Sequence, residues 1–221
     1  MRILVLDSAL ACCTAAIVQN ETVVAQRRAI AARGQSSVLP VLLDEVLREA
    51  PPRDAPLDLI AVTLGPGSFT GIRGGLALAH GYAMATGIAL VGVTVGEALA
   101  EALPRLGQRA LWIAIAGRRG RVFLGREGRF ESRGLDELPV PDRHAAVAVA
   151  GDAAIPVAAF LAAREVDVML TDARLPVARH VALVAARRFA GQLPALAVQP
   201  LYVEPPLVTL PAPGTLRPAP V

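Results

Sequence analysis

The sequence predicts an α/β protein built twice over, with two mixed sheets, each flanked by helices. Three observations carry this. Residues 2–28 offer three short apolar runs joined by tight links, and residues 109–132 offer three more. Each trio is followed by helices and strands in alternation. The core has to be aliphatic, because 54% of the 221 residues are hydrophobic but only 4% are aromatic. Strands joined by short links pair antiparallel, whereas a strand reached through a helix pairs parallel, so each half becomes a mixed sheet.

The elements follow in order. RILVLD (2–7) is apolar enough for a buried strand, CTAAIV (13–18) is a second, and TVVAQRR (22–28) a third after the turn Gln19-Asn20-Glu21. Ser36 and Ser37 are N-cap candidates for a helix over 36–50, in which Leu39, Leu42, Leu43, Val46, Leu47 and Ala50 recur at helical spacing before Pro51-Pro52 stop it. LDLIAVTL (57–64) is a strand, GPGSFTG (65–71) a glycine-rich loop, 72–86 a helix, IALVGV (88–93) a strand and VGEALAEAL (95–103) a helix. The second half repeats the order: strands at 109–116, 121–125 and near 129–132 with a turn at Gly117–Gly120, a strand at 145–151, a helix at 153–164, a strand at 166–170 and a helix at 177–190. Residues 1–103 thus form one half and 104–221 the other. Residues 200–220 hold seven prolines and are expected to be extended or loose. Three antiparallel strands leading into crossovers, twice, is the layout of the duplicated actin-like (ASKHA, RNase H-like) fold. The cleft between its halves is the default ligand site.

Composition excludes several chemistries. All 22 basic residues are arginine, and the absence of lysine removes the Walker A, Schiff-base and protein-kinase lysines. His80, His144 and His180 are far apart, and the two cysteines, Cys12 and Cys13, are adjacent, so neither set has zinc-ligand spacing and no disulfide framework forms. No metal site and no Ser/His/Asp arrangement is legible. A reducing, cytoplasmic setting is expected. The N-terminal apolar run is interrupted by Asp7 and does not read as a signal peptide. Gly74–Gly96 carries no formal charge, but its six glycines, His80 and two threonines read as a small-residue helix, a turn at Gly87 and a strand rather than a membrane span.

Charge is uneven: residues 1–103 carry 7 Arg against 9 acidic residues, and residues 104–221 carry 15 against 10. Arg118, Arg119, Arg121, Arg126, Arg129 and Arg133 fall on one hairpin. They read as a solvated edge interleaved with Glu127 and Glu131, or as a surface attracting a phosphate backbone.

Two places have the form of a phosphate site. Asp7, followed by Ser8, ends the first strand. A carboxylate there can hold a metal or water beside a nucleotide phosphate, or simply cap a turn. In the loop, Gly65 and Gly67 permit unusual backbone and close approach, and Ser68 or Thr70 can cap the following helix, whose free N–H groups attract anions. The same loop also serves as a tight packing turn, and spacing does not separate the two readings. Two helices have surplus surface. Gly75, Ala79 and Ala83 make a bare track on helix 72–86. Helix 36–50 has apolar residues, Val38 and Val41, outside its main stripe of Leu42 and Val46. Such surplus suggests a second contact.

The string GPGSFTGIRGGLALAHGYA, with the opening ILVLDSA, the segment LVGVTVGEALA and the tail PLYVEPP, resembles the TsaB (YeaZ) family. The resemblance implies a non-catalytic relative of TsaD, the subunit that makes N6-threonylcarbamoyladenosine (t6A) in tRNA. It implies that helices 36–50 and 72–86, with Val38, Val41, Leu42, Glu45, Val46, Gly75, Ala79 and Ala83, pair with a TsaD-like subunit, or with a second copy when the chain is alone. A TsaE-like ATPase would join the complex, which would use ATP and Mg; no cofactor is expected to sit firmly on this chain, and tRNA contact is expected to be indirect. Four positions depart from what the resemblance leads one to expect: Gln35 and Ser37 stand where many members have a histidine and a glutamate, Ala116 where an aspartate is common, and Glu204 where an arginine is. The rival readings are a nucleotide-dependent phosphotransferase or hydrolase, or an M22 peptidase-like enzyme, with Asp152 as the second carboxylate facing Asp7, and a stand-alone RNA-binding module using the arginine hairpin.

Overall fold

The computed structural model describes residues 1–30, 35–51, 55–142 and 144–204. The Pro-rich tail beyond residue 204 lies outside them. The first helix begins at Gln35, so Ser36 and Ser37 fall inside its first turn rather than at its N-cap.

The first sheet has the order β3-β2-β1-β4-β5, from β1 (Arg2–Asp7), β2 (Cys12–Gln19), β3 (Thr22–Ile30), β4 (Leu59–Thr63) and β5 (Ala89–Val93). The second has the order β10-β9-β6-β7-β8, from β6 (Ala110–Ala116), β7 (Val122–Arg126), β8 (Arg129–Arg133), β9 (Ala146–Ala150) and β10 (Asp167–Leu170). Read from opposite ends, the two orders are the same. β1 pairs antiparallel with β2 and parallel with β4, and β6 pairs antiparallel with β7 and parallel with β9. The tight links made the antiparallel neighbours, and the helical links β4–β5 and β9–β10 the parallel ones, as expected; β9 reaches its parallel place beside β6 through residues 134–145, which hold no helix among the described residues.

The period of two along the central strands decides what covers each face. Leu4, Leu6, Ile60 and Val62 point into one core with Leu39, Leu42, Leu43 and Val46 of α1 (Gln35–Glu49) and Ile72, Leu76 and Ala79 of α2 (Phe69–Thr86). Their alternates Ile3, Val5, Leu59 and Ala61 point into a second core with Val181, Ala182, Val184 and Ala185 of α5 (Ala178–Phe189). Being buried on both faces explains the unbroken apolar runs Ile3–Leu6 of β1 and Leu59–Val62 of β4. In the second sheet, Trp112, Ala114, Val147 and Val149 meet Val157, Ala158 and Leu161 of α4 (Ala154–Ala162). The other face, Ile113, Ile115 and Phe123, joins the core of the first half, together with Val95 and Leu99 of α3 (Val95–Glu101).

One element departs from the expected layout. Helix α5 follows the second sheet in sequence but packs on the first. Its apolar residues fit the bare face left by α1 and α2, and Arg188 fastens it there. The buried guanidinium donates to the Gly92 carbonyl at 2.8 Å and the Pro194 carbonyl at 2.9 Å, and pairs with Glu97. Glu97 in turn closes a capping box with Thr94 at the start of α3. Among the described residues no helix is long and apolar enough to cross a membrane. The uncharged stretch 74–96 folds as the body of α2, a left-handed Gly87 cap (φ 74°) and β5.

Candidate functional site

The glycine loop is pressed against the β1–β2 turn. The Ser68 amide donates to the Ala9 carbonyl at 2.7 Å, the Val95 amide to the Gly65 carbonyl at 2.8 Å, and the Leu201 amide to the Leu64 carbonyl at 2.8 Å. Gly67 has φ +156°, and a β-carbon there would overlap the Ala9 carbonyl. A β-carbon on Gly65 (φ +101°) would lie 2.6 Å from Ile72 Cδ1. Ser68 is the N-cap: its Oγ accepts from the Gly71 amide at 3.2 Å, which starts α2 at Phe69, three residues earlier than the sequence suggested. Thr70 is exposed in the first turn.

Asp7 and Ser8 are buried beside this loop. Asp7 Oδ1 accepts from Thr63 Oγ1 at 2.6 Å and from the Ala9 amide at 3.0 Å. Burial pushes its carboxyl up to about 6, against the pull of those two bonds and of the Arg28 charge. Ser8 Oγ donates to the Gly71 carbonyl at 2.8 Å. These groups tie the end of β1 to β4 and α2. Asp152 does the same in the second half: its Oδ1 accepts from the Ala116 amide at 2.8 Å, and burial raises its pKa. Cys12 and Cys13 are free and buried in β2, with the Cys13 thiol pushed up to about 11 by burial. His80 Nε2 lies 3.0 Å from the Val198 carbonyl, His144 is exposed, and burial lowers the pKa of half-buried His180. Among the described residues no group of three or more His, Cys, Asp or Glu could hold a metal ion.

The structure corrects half of the expected partner surface. Val46 and Ala79 are fully buried, Leu42 is nearly so, and Gly75 lies where a β-carbon would be 2.5 Å from Ser8 Oγ and 3.7 Å from Leu39 Cδ2. The bare track Gly75/Ala79 therefore lets α1, α2 and the β1 turn approach one another; it is internal packing and offers nothing to a partner. Val38 and Ala83 are half-buried. Val41 is 54% exposed, and Glu45 is exposed but paired with Arg27 of β3 at 3.3 Å.

The outward face of α2 carries a different small stripe, which the sequence reading missed. Ala77, Gly81 and Ala85 recur every four residues and are all exposed, next to Met84, which is 86% exposed. A β-carbon on Gly81 would meet nothing within 4 Å. The signal was present: a second small-residue period lay two positions out of step with the first.

Half of the hairpin's arginines are laced with acids, while among the described residues Arg118, Arg119 and Arg129 form no ion pair. Arg126 and Arg133 both pair with Glu131 (2.9 and 2.8 Å), and Arg121 with Glu204 (3.2 Å). The tail runs back over the glycine loop. Tyr202 stacks on Phe69 with ring centroids 5.3 Å apart, and its hydroxyl accepts from Arg73 Nε at 2.6 Å, while the Arg73 guanidinium covers Phe69 at 3.8 Å.

Residues 21–192 match the family described as TsaD: tRNA N6-adenosine threonylcarbamoyltransferase. The chain is 30% identical to the tRNA threonylcarbamoyladenosine biosynthesis protein TsaB of Escherichia coli over 60% of its own length and 57% of that protein's. It is 46% identical to a tRNA N6-adenosine threonylcarbamoyltransferase of Paracoccus denitrificans over 35% of its length and 21% of that protein's. It thus spans less than two thirds of either relative. In fold, YeaZ from Pseudomonas aeruginosa superposes with a TM-score of 0.66 at 22% identity, over 91% of this chain and 99% of that one. With the repeated sheet order, that likeness makes the fold the duplicated actin-like α/β fold. The chain belongs to the tRNA N6-adenosine threonylcarbamoyltransferase family, as a TsaB/YeaZ-like protein.

Proposed function

We propose that this chain is a non-catalytic subunit of a t6A-forming complex, docking a TsaD-like catalytic subunit through the outward face of α1 and α2. The observation that carries the reading is the exposed, uncharged stripe Ala77, Gly81, Met84 and Ala85, on the same side of the first sheet as exposed Val41. Small residues let a partner helix approach closely, and an exposed methionine supplies an adaptable apolar contact. Residues that would serve a phosphate chemistry are meanwhile engaged within the fold: Asp7 by Thr63 and Ala9, Ser8 by Gly71, and the loop amide of Ser68 by Ala9. On this reading a TsaE-like ATPase completes the complex in the cytoplasm, ATP and Mg act there rather than on this chain alone, and two copies pair through the same face in the absence of a partner. Three of the hairpin's arginines, Arg121, Arg126 and Arg133, are held by acids, which fits indirect contact with tRNA.

The test is reconstitution. Threonylcarbamoyladenosine is measured in tRNA nucleosides after incubation with TsaD-like and TsaE-like subunits, ATP and Mg, with and without this chain. The reading requires product only when the chain is present and none from the chain alone. Turnover of ATP by the isolated chain that disappears in Asp7→Ala would establish the enzyme reading instead.

A further inference from the structure

A cavity of about 830 Å³ lies where the chain passes between its two halves, and none of the roles above uses it. Both crossings line it: residues 102–106, between α3 and β6, and residues 169–175, the end of β10 and the link toward α5, with Arg28 of β3 also in the lining. Its volume is that of a small-molecule site.

Its charge is one-sided. Arg28, Arg105 and Arg174 line it against a single carboxylate, Asp172. Elsewhere in this protein many arginines are laced with acids, as Arg126 and Arg133 of the hairpin and Arg187 and Arg188 of α5. Among the described residues these three form no ion pair and no side-chain hydrogen bond. The Nη1 of Arg174 is withdrawn from solvent, with no acceptor among the described residues. A guanidinium is built to take two oxygens of a phosphate at once. The remaining wall is apolar, with Leu103, Leu106 and Leu175 beside the arginines.

We propose that this cavity binds a small organic phosphate, its phosphate held by Arg174 with Arg28 and Arg105, its apolar body against the three leucines. Because both crossings line the site, such a ligand touches both halves at once.

The proposal is tested by isothermal titration calorimetry on the full chain, with 1-naphthyl phosphate, inorganic phosphate and citrate as probes. The expected result is binding of 1-naphthyl phosphate that weakens with added salt and is about tenfold or more tighter than that of inorganic phosphate. Arg174→Gln weakens it by about tenfold or more. Arg28→Gln and Arg105→Gln, at exposed positions that do not threaten folding, weaken it by lesser factors. Arg164→Gln, on a guanidinium stacked over Phe160 outside the cavity, leaves it unchanged. No heat with 1-naphthyl phosphate at millimolar concentration, or affinity unchanged in both Arg28→Gln and Arg105→Gln, overturns the proposal. Citrate binding equally tightly, with the same dependence on the arginines, overturns its assignment to phosphate.

Discussion

Glu204 in the C-terminal segment faces Arg121 at the start of the second hairpin, its Oε1 3.2 Å from the Arg121 Nε, and the Ser132 hydroxyl donates to the same carboxylate. The glutamate neutralises Arg121 and pins the tail to the second sheet. Both side chains are partly exposed, so the pair alone is worth roughly 0–1 kcal/mol. Glu204→Arg places two guanidinium groups together and is expected to lower stability by about 1 kcal/mol. The exchange Arg121→Glu with Glu204→Arg should recover most of that loss. Urea unfolding of the single and double variants measures the coupling. A double variant less stable than both singles contradicts the pairing.

Asp7 sets a pH dependence of stability. Its folded pKa, about 6, lies above the unfolded value of about 3.9. The folded state therefore binds the proton more tightly, so its contribution is fully present below pH ~4 and is lost as pH rises through about 6. The loss is on the order of 2–3 kcal/mol. Asp7→Asn keeps an oxygen for Thr63 and Ala9 but carries no charge. It should remove that slope and be more stable than wild type at pH 7. Chemical unfolding at pH 4.5 and pH 7.5 decides this; parallel pH profiles for the two proteins would show that Asp7 does not titrate in this range.

Two glycines should respond in opposite directions. Gly67→Ala forces a β-carbon into the Ala9 carbonyl at a positive φ and should cost about 3 kcal/mol or more. Gly81→Ala adds a β-carbon in open space within α2 and should stabilise by about 0.5–1 kcal/mol. Thermal melts of the two variants give the sign directly.

Ala79→Arg should fail to fold, because Ala79 is fully enclosed between the helices and the sheet and an unpaired buried charge costs several kcal/mol. Val41→Arg, at an exposed position of α1, should fold with wild-type circular dichroism. A well-folded Ala79→Arg protein would mean that the α1–α2 seam opens readily.

Most of the fold was legible because each element announced itself locally. Ile3–Leu6 and Leu59–Val62 are unbroken apolar runs, and short links separate β1, β2 and β3. What stayed hidden depended on where elements meet. Helix α5 reads from sequence as another amphipathic helix; only the fit of Val181, Ala182, Val184 and Ala185 against Ile3, Val5, Leu59 and Ala61 assigns it to the first sheet. The glycine loop satisfied two readings because glycine serves close packing and anion approach equally, and the Ala9 carbonyl against Gly67 settles its packing role. On α2 two small-residue stripes alternate around the helix, and periodicity alone does not say which one faces inward. The cavity between the crossings was invisible because Arg28, Arg105 and Arg174 are far apart in the chain.

The docking claim is tested most directly at Gly81. Gly81→Arg occupies a position with open space and replaces a poor helix former with a good one, so the isolated chain should melt no lower than wild type. The long charged side chain should nevertheless block close approach to the α2 stripe. Binding to a TsaD-like subunit, measured by isothermal titration calorimetry with wild type and Gly81→Arg side by side, should weaken by about a hundredfold or become undetectable. A fully folded Gly81→Arg protein that binds the TsaD-like subunit with wild-type affinity would contradict docking through this face.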